Sequence, residues 1–138
     1  MSNYNYIENK PSKLYTDLNL AFSKNPVNKD VTVKRNEEAI KQSLRNLILL
    51  GKKEKPFHPE IGGGAYDLLF ENFDEVGTAD ILQIKIAGII QRFEPRVDLE
   101  RVDIDFLNDN NSVSITIYYT ILTTLVQSSV QLFLKIAR

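Results

Sequence analysis

The spacing of apolar positions divides the chain into a helical middle and a strand-rich end. From Asp17 to Phe22, Leu18, Leu20 and Phe22 alternate with Asp17, Asn19 and Ala21, which predicts a half-buried strand. Asn25-Pro26 with Asn28 predicts a turn, and Val31 with Val33 a short second strand. The period then lengthens: Ile40, Leu44, Leu47 and Ile48 fall on one helical stripe. Asn36 is the expected N-cap, Glu37 and Glu38 lie where the helix dipole favours acids, and Gly51 is the expected stop.

Pro56 to Gly64 holds two prolines and three consecutive glycines, so it reads as a shaped loop, with one or two helical turns expected over Ala65 to Phe70. A longer helix is expected after Thr78 as N-cap, with Asp80 in its first turn. It would bury Leu82, Ile86, Ile89, Ile90 and Phe93, leave Gln83, Lys85 and Arg92 in water, and end at Pro95.

From there the period is two. Val102, Ile104 and Phe106 alternate with Arg101, Asp103 and Asp105, and a turn cluster follows at Asn108-Asp109-Asn110-Asn111. Val113, Ile115, Ile117, Tyr119 and Ile121 alternate with Ser114, Thr116, Tyr118 and Thr120; a reversal is expected at Gln127 to Ser129. Val130, Leu132, Leu134 and Ile136 make the third run. Phe133 faces the other way, either toward a neighbour or into a strand covered on both sides. Consecutive strands with short turns imply an antiparallel β-meander, packed on one face by two main helices: an α+β fold. The 138 residues suffice for one core, a single small domain over residues 14–138 behind a flexible arm at 1–13.

Composition narrows the function. Lys and Arg number 17 against 18 Asp and Glu, so neither nucleic acid nor a membrane surface is an expected partner. Residues 1–60 carry 11 basic and 7 acidic side chains, and residues 61–138 carry 6 and 11. The halves either neutralise each other within the domain or give it a dipolar surface suited to stacking in an assembly. Met1 to Asn9 lacks the apolar centre of a signal peptide, and Ile115 to Val126 is too short and polar to span a bilayer, so the cytoplasm is the expected place of synthesis.

Without Cys, and with His58 as its one histidine, the chain offers no disulfide, no thiol nucleophile and hardly a zinc site. Gly62-Gly63-Gly64 lacks the Lys-Ser/Thr of a phosphate loop. No catalytic residue, metal or cofactor is expected. Glycoside hydrolysis needs only two carboxylates, for which Glu60, Asp67, Glu71 and Glu94 are unspecific candidates, and there is no Trp to line a sugar cleft.

One constellation stands out. Glu94-Pro95-Arg96 follows the long helix, and Pro95 stiffens the corner from which the two charged side chains leave. The bland reading is a helix stop with two solvated charges; the functional one is a partner-binding corner whose Arg fork receives a carboxylate. Ordered blocks along the chain favour the second. They are Tyr15-Thr16-Asp17-Leu18, Glu38 to Leu47, Pro56-Phe57-His58-Pro59-Glu60-Ile61-Gly62, Asp67 to Glu71, Thr78-Ala79-Asp80 and Glu94-Pro95-Arg96-Val97. With these, the chain resembles the gene-25-like baseplate wedge family of contractile-tailed phages, shared with type VI secretion baseplates, over about residues 13–138.

The resemblance implies a structural subunit of the virion baseplate, assembled in the host cytoplasm, with Glu94, Pro95 and Arg96 contacting the long helical bundle of the other wedge proteins. It also implies nucleation of the tail sheath by strand addition at an unpaired sheet edge. The family's lysozyme label keeps a peptidoglycan glycosidase as an alternative. Anti-adaptor regulatory proteins with the same domain, which bind a response-regulator adaptor, give a third.

Overall fold

A computed structural model of the chain describes residues 15–27, 29–51, 53–61, 75–107 and 111–135. The expected arm, the three glycines, the turns over 65–70, the acids Asp67 and Glu71, and Ile136 lie outside these residues. The described elements are β1 (Thr16–Leu18), β2 (Val33–Arg35), α1 (Glu37–Leu49), α2 (Glu75–Phe93), β3 (Val97–Leu107), β4 (Ser112–Ile121) and β5 (Val126–Lys135). β1 and β2 form a small antiparallel sheet, and β3-β4-β5 form the expected antiparallel meander. This is a small single-domain α+β fold.

The core lies where the two periodicities meet. Ile40, Leu44 and Ile48 of α1 and Leu82, Ile86 and Ile90 of α2 pack on one face of the meander. That face is built from Val113, Ile115, Ile117, Tyr119 and Ile121 of β4, flanked by Val97 and Val102 of β3 and Val130, Leu132 and Leu134 of β5. The register runs from Val97↔Ile121 to Leu107↔Ser112 on one side of β4 and from Ser112↔Lys135 to Ile121↔Val126 on the other. Because side chains alternate across the pleat, this register puts all three apolar runs on the helix side.

Local features depart from expectation for identifiable reasons. The strand expected over Asp17 to Phe22 stops at Leu18, and Leu18, Leu20 and Phe22 are exposed rather than half-buried. A turn begins at Asn19, whose carbonyl accepts from Phe22 N at 2.9 Å, and Phe22 takes a positive φ of 48°. The hairpin is held by polar side chains instead: Asn19 Nδ2 donates to Ser23 Oγ (2.8 Å) and Thr32 Oγ1 (2.9 Å). Gln42 Nε2 then ties it to α1 by donating to Leu18 O at 2.7 Å.

Asn36 precedes α1 but caps it with no side-chain hydrogen bond; its Oδ1 accepts from Tyr15 N at 3.2 Å. The end of α1 also differs. Leu50 turns extended, and Gly51 donates its N–H to Glu54 Oε2 at 2.8 Å. A Cβ on Gly51 would stand 2.9 Å from the Glu54 carboxyl carbon, so the glycine serves close approach rather than a left-handed cap. Thr78 is buried inside α2, which already runs from Glu75, so it is not the N-cap.

The last reversal occupies 122–125, not Gln127 to Ser129, which lie within β5. Leu125 takes a φ of 54° and donates to Ile121 O at 2.7 Å. Phe133 is exposed, which removes its reading as a core residue.

Tyr119 is a flaw in the core. The residue is fully buried, its hydroxyl makes no hydrogen bond of ordinary geometry among the described residues, and burial pushes its pKa up against a smaller lowering by the cross-strand Ser128 hydroxyl. A buried unpaired hydroxyl costs about 1–3 kcal/mol. Tyr119→Phe is therefore expected to raise the unfolding free energy by about 1 kcal/mol in urea titration. A loss of stability would mean that the hydroxyl is bonded in solution.

Candidate functional site

The Glu94-Pro95-Arg96 corner forms where α2 stops. Glu94 N still donates to Ile90 O at 2.9 Å, completing the last helical turn, and Pro95 cannot continue the ladder. Arg96 then feeds directly into β3, and its carbonyl accepts from Leu122 N at 3.0 Å. The corner is thus fixed at both ends, by the helix behind it and by the β4–β5 turn beside it.

Its charges are largely withdrawn from water. The Glu94 side chain is only 2% exposed and that of Arg96 26%. Arg96 grips Glu94 with a two-pronged fork, Nε to Oε1 at 2.5 Å and Nη2 to Oε2 at 2.5 Å. Ser43 Oγ, from α1, donates to the same Oε2 at 2.5 Å. A buried carboxylate is tolerable only when paired and hydrogen-bonded, and three donors meet that condition here.

The Arg96 guanidinium also lies over the Tyr15 ring, 5.3 Å from its centroid, just before β1. Its pKa is raised, first by the hydrogen bonds to Glu94, against a desolvation effect that lowers it. Among the described residues, Nη1 bonds to nothing. Pro95 is exposed.

The three expected residues are therefore brought together with divided roles. Glu94 points inward and holds, while Pro95 and the outer edge of Arg96 face out. Sequence reasoning missed Ser43 and Tyr15, which complete the site. Ser43 sits beside Leu44 on the flank of the α1 stripe, inside the block Glu38 to Leu47, where nothing sets a polar residue apart from its neighbours. Tyr15 belongs to another block, Tyr15-Thr16-Asp17-Leu18, and the link of both blocks to the corner shows only in three dimensions.

Of the candidate acids, Glu60 and Glu94 lie among the described residues, and each is engaged by its own neighbours. Glu60 is exposed, bonded to His58 Nδ1 at 3.0 Å, and its pKa is lowered by its own backbone N–H and by that histidine. Among the described residues no group of three or more His, Cys, Asp or Glu converges on a metal position. No described helix is long and apolar enough to cross a membrane.

Comparison with known proteins is decisive at this point. The model of the family "baseplate wedge protein gp25" matches residues 34–125, which include the whole corner. The baseplate wedge protein gp25 of Enterobacteria phage T4 is 32% identical over 111 residues, 80% of this chain and 83% of that protein. The chain belongs to the baseplate wedge protein gp25 family.

Solved structures agree on the fold of this gp25-family chain. A protein of the anti-feeding prophage baseplate superimposes with a TM-score of 0.62 at 22% identity, covering 91% of this chain and 87% of its own. A Geobacter sulfurreducens protein assigned provisionally as a tail lysozyme gives a TM-score of 0.67 at 20% identity, covering 74% and 92%. At such identities the likeness concerns the fold alone, so the lysozyme assignment stays with that protein.

Proposed function

We propose that this gp25-family chain is a non-enzymatic structural subunit of a contractile-tail baseplate, joining the helical bundle of the wedge to the tail sheath. It acts in the virion after assembly in the host cytoplasm and needs no cofactor. The locked corner carries the reading. Glu94, Ser43 and Tyr15 fix Arg96 from within, so the free edge of its guanidinium and the rigid Pro95 are presented already ordered. A partner carboxylate or helix end that meets such a donor freezes few further rotamers, which lowers the entropy lost on binding. Glu94 acts through Arg96 and touches no partner itself.

Strand addition to the sheath needs a free edge, and the two edges of the meander differ. β3 carries a bulge between Leu99 and Arg101, the charges Asp98, Glu100, Asp103 and Asp105, and a carbonyl, Val102 O, already taken by Gln83 Nε2 of α2 at 2.6 Å. These are the devices by which edges resist pairing. β5 has an unbroken register, no proline, and no charge before Lys135. β5 is the edge on which a sheath strand adds.

The glycosidase alternative requires a carboxyl group poised as a general acid. Of the two candidate acids among the described residues, Glu94 has both oxygens engaged internally, and Glu60 is shifted the wrong way. The purified protein is expected to release no soluble fragments from peptidoglycan.

The corner is tested with Arg96→Lys, which keeps a positive partner for Glu94 but removes the fork. It should retain most of the thermal stability while weakening capture of the co-produced wedge proteins by about 2 kcal/mol or more. Capture equal to wild type would remove the corner from the interface. Quantitative mass spectrometry of purified particles should find this chain at a fixed ratio to the other wedge proteins. Its absence from particles would overturn the structural role.

A further inference from the structure

Among the described residues no strand pairs with the outer edge of β5, and the side chains beside that edge are exposed. Phe133 is 65% exposed on the sheet face away from the helices, and Leu49, in the last turn of α1, is 43% exposed. With Arg45, Gln131 and Leu132 they line an open cavity of about 310 Å³ beside the edge. Arg45 is the one charge in that cavity and forms no ion pair among the described residues.

Pairing geometry says what an added strand would meet. Its residue opposite Leu132 turns to the helix side of the sheet and enters the space beneath Leu49. The adjacent residue, opposite Phe133, turns to the other side and lies against that ring. The occupant is an extended segment rather than a helix, because the edge offers backbone donors and acceptors that a helix, already bonded to itself, cannot use.

We propose that the β5 edge selects its incoming strand by side chain. The segment it accepts carries two consecutive bulky apolar residues, one seated between Leu49 and Leu132 and the next stacked on Phe133, with an acidic residue in reach of Arg45. This rests on the strand-addition reading and supplies its specificity. Charge complementarity favours the acid, since β5 contributes no negative group and Arg45, at the rim, has no ion-pair partner among the described residues.

The test combines hydrogen exchange with surface variants of the full chain, using the sheath protein of the same particle as the probe. On binding wild type, the amides of β5 should become protected while those of β3 stay unchanged. Phe133→Ala, Leu49→Ala and Arg45→Glu should each fold with an unaltered melting temperature and weaken sheath capture about tenfold. Phe133→Trp should retain capture, and Arg45→Glu should lose the salt dependence of binding.

Protection of β5 with undiminished capture by all three variants would overturn the side-chain selection while leaving strand addition in place. Binding without protection of β5 would overturn strand addition itself, and the selection with it.

Discussion

Arg96→Ala is expected to lower the unfolding free energy by about 3–5 kcal/mol, a large part of what a small domain has. The substitution leaves the Glu94 carboxylate buried with Ser43 as its sole donor from the corner. Desolvation of a carboxylate without its cation then opposes folding, offset only by the Ser43 hydrogen bond. A chain read as two solvated charges at a helix stop would lose almost nothing, since exposed ion pairs contribute about 0–1 kcal/mol. Urea titration separates the two.

The double variant Glu94→Gln with Arg96→Ala should recover part of the loss, because the glutamine carries no charge to strand and can still accept from Ser43. If Arg96→Ala unfolds at the wild-type urea concentration, the burial of Glu94 described above is wrong. The same result bears on function. A partner-binding defect in Arg96→Ala alone mixes lost contact with lost structure, so Arg96→Lys is the cleaner probe of the interface.

The legibility of this chain followed the range of the interactions involved. The meander and the helix stripes were readable because Ile40 to Ile48, Val113 to Ile121 and Val130 to Leu134 bury a periodic face, and period is a local property. Leu18, Leu20 and Phe22 have the same alternation but no layer to pack on. Their hairpin is held by Asn19, Ser23 and Thr32, so the pattern was present without the burial. Asn36 was suited to capping by residue type, yet its side chain went to Tyr15, 21 positions away.

The corner shows the same limit more sharply. Pro95 announced a stop, and the family resemblance singled out its neighbours. The burial of Glu94 depends on Ser43, 51 positions distant, and no spacing rule connects them. What the sequence alone presented as two outward charges is one inward anchor and one outward donor.

The core makes the second large prediction. Ile86→Ala should cost about 2–5 kcal/mol, because the side chain is fully buried among the residues joining α2 to the sheet and its removal leaves a cavity. Ile84→Ala on the same helix is the control. Two residues along an α-helix point to different faces, and Ile84 is 74% exposed, so its loss should fall within about 0.5 kcal/mol of zero. Composition cannot distinguish these two isoleucines; the helical period does, and the orientation of α2 against β3 and β4 agrees with it. Equal losses at both positions would mean that the helix presents another face to the sheet. Because the corner is the direct continuation of α2, that outcome would also move Glu94 out of reach of Ser43 and dissolve the proposed binding site. Unequal losses in the stated order would tie the packing of α2 to the placement of the Arg96 fork.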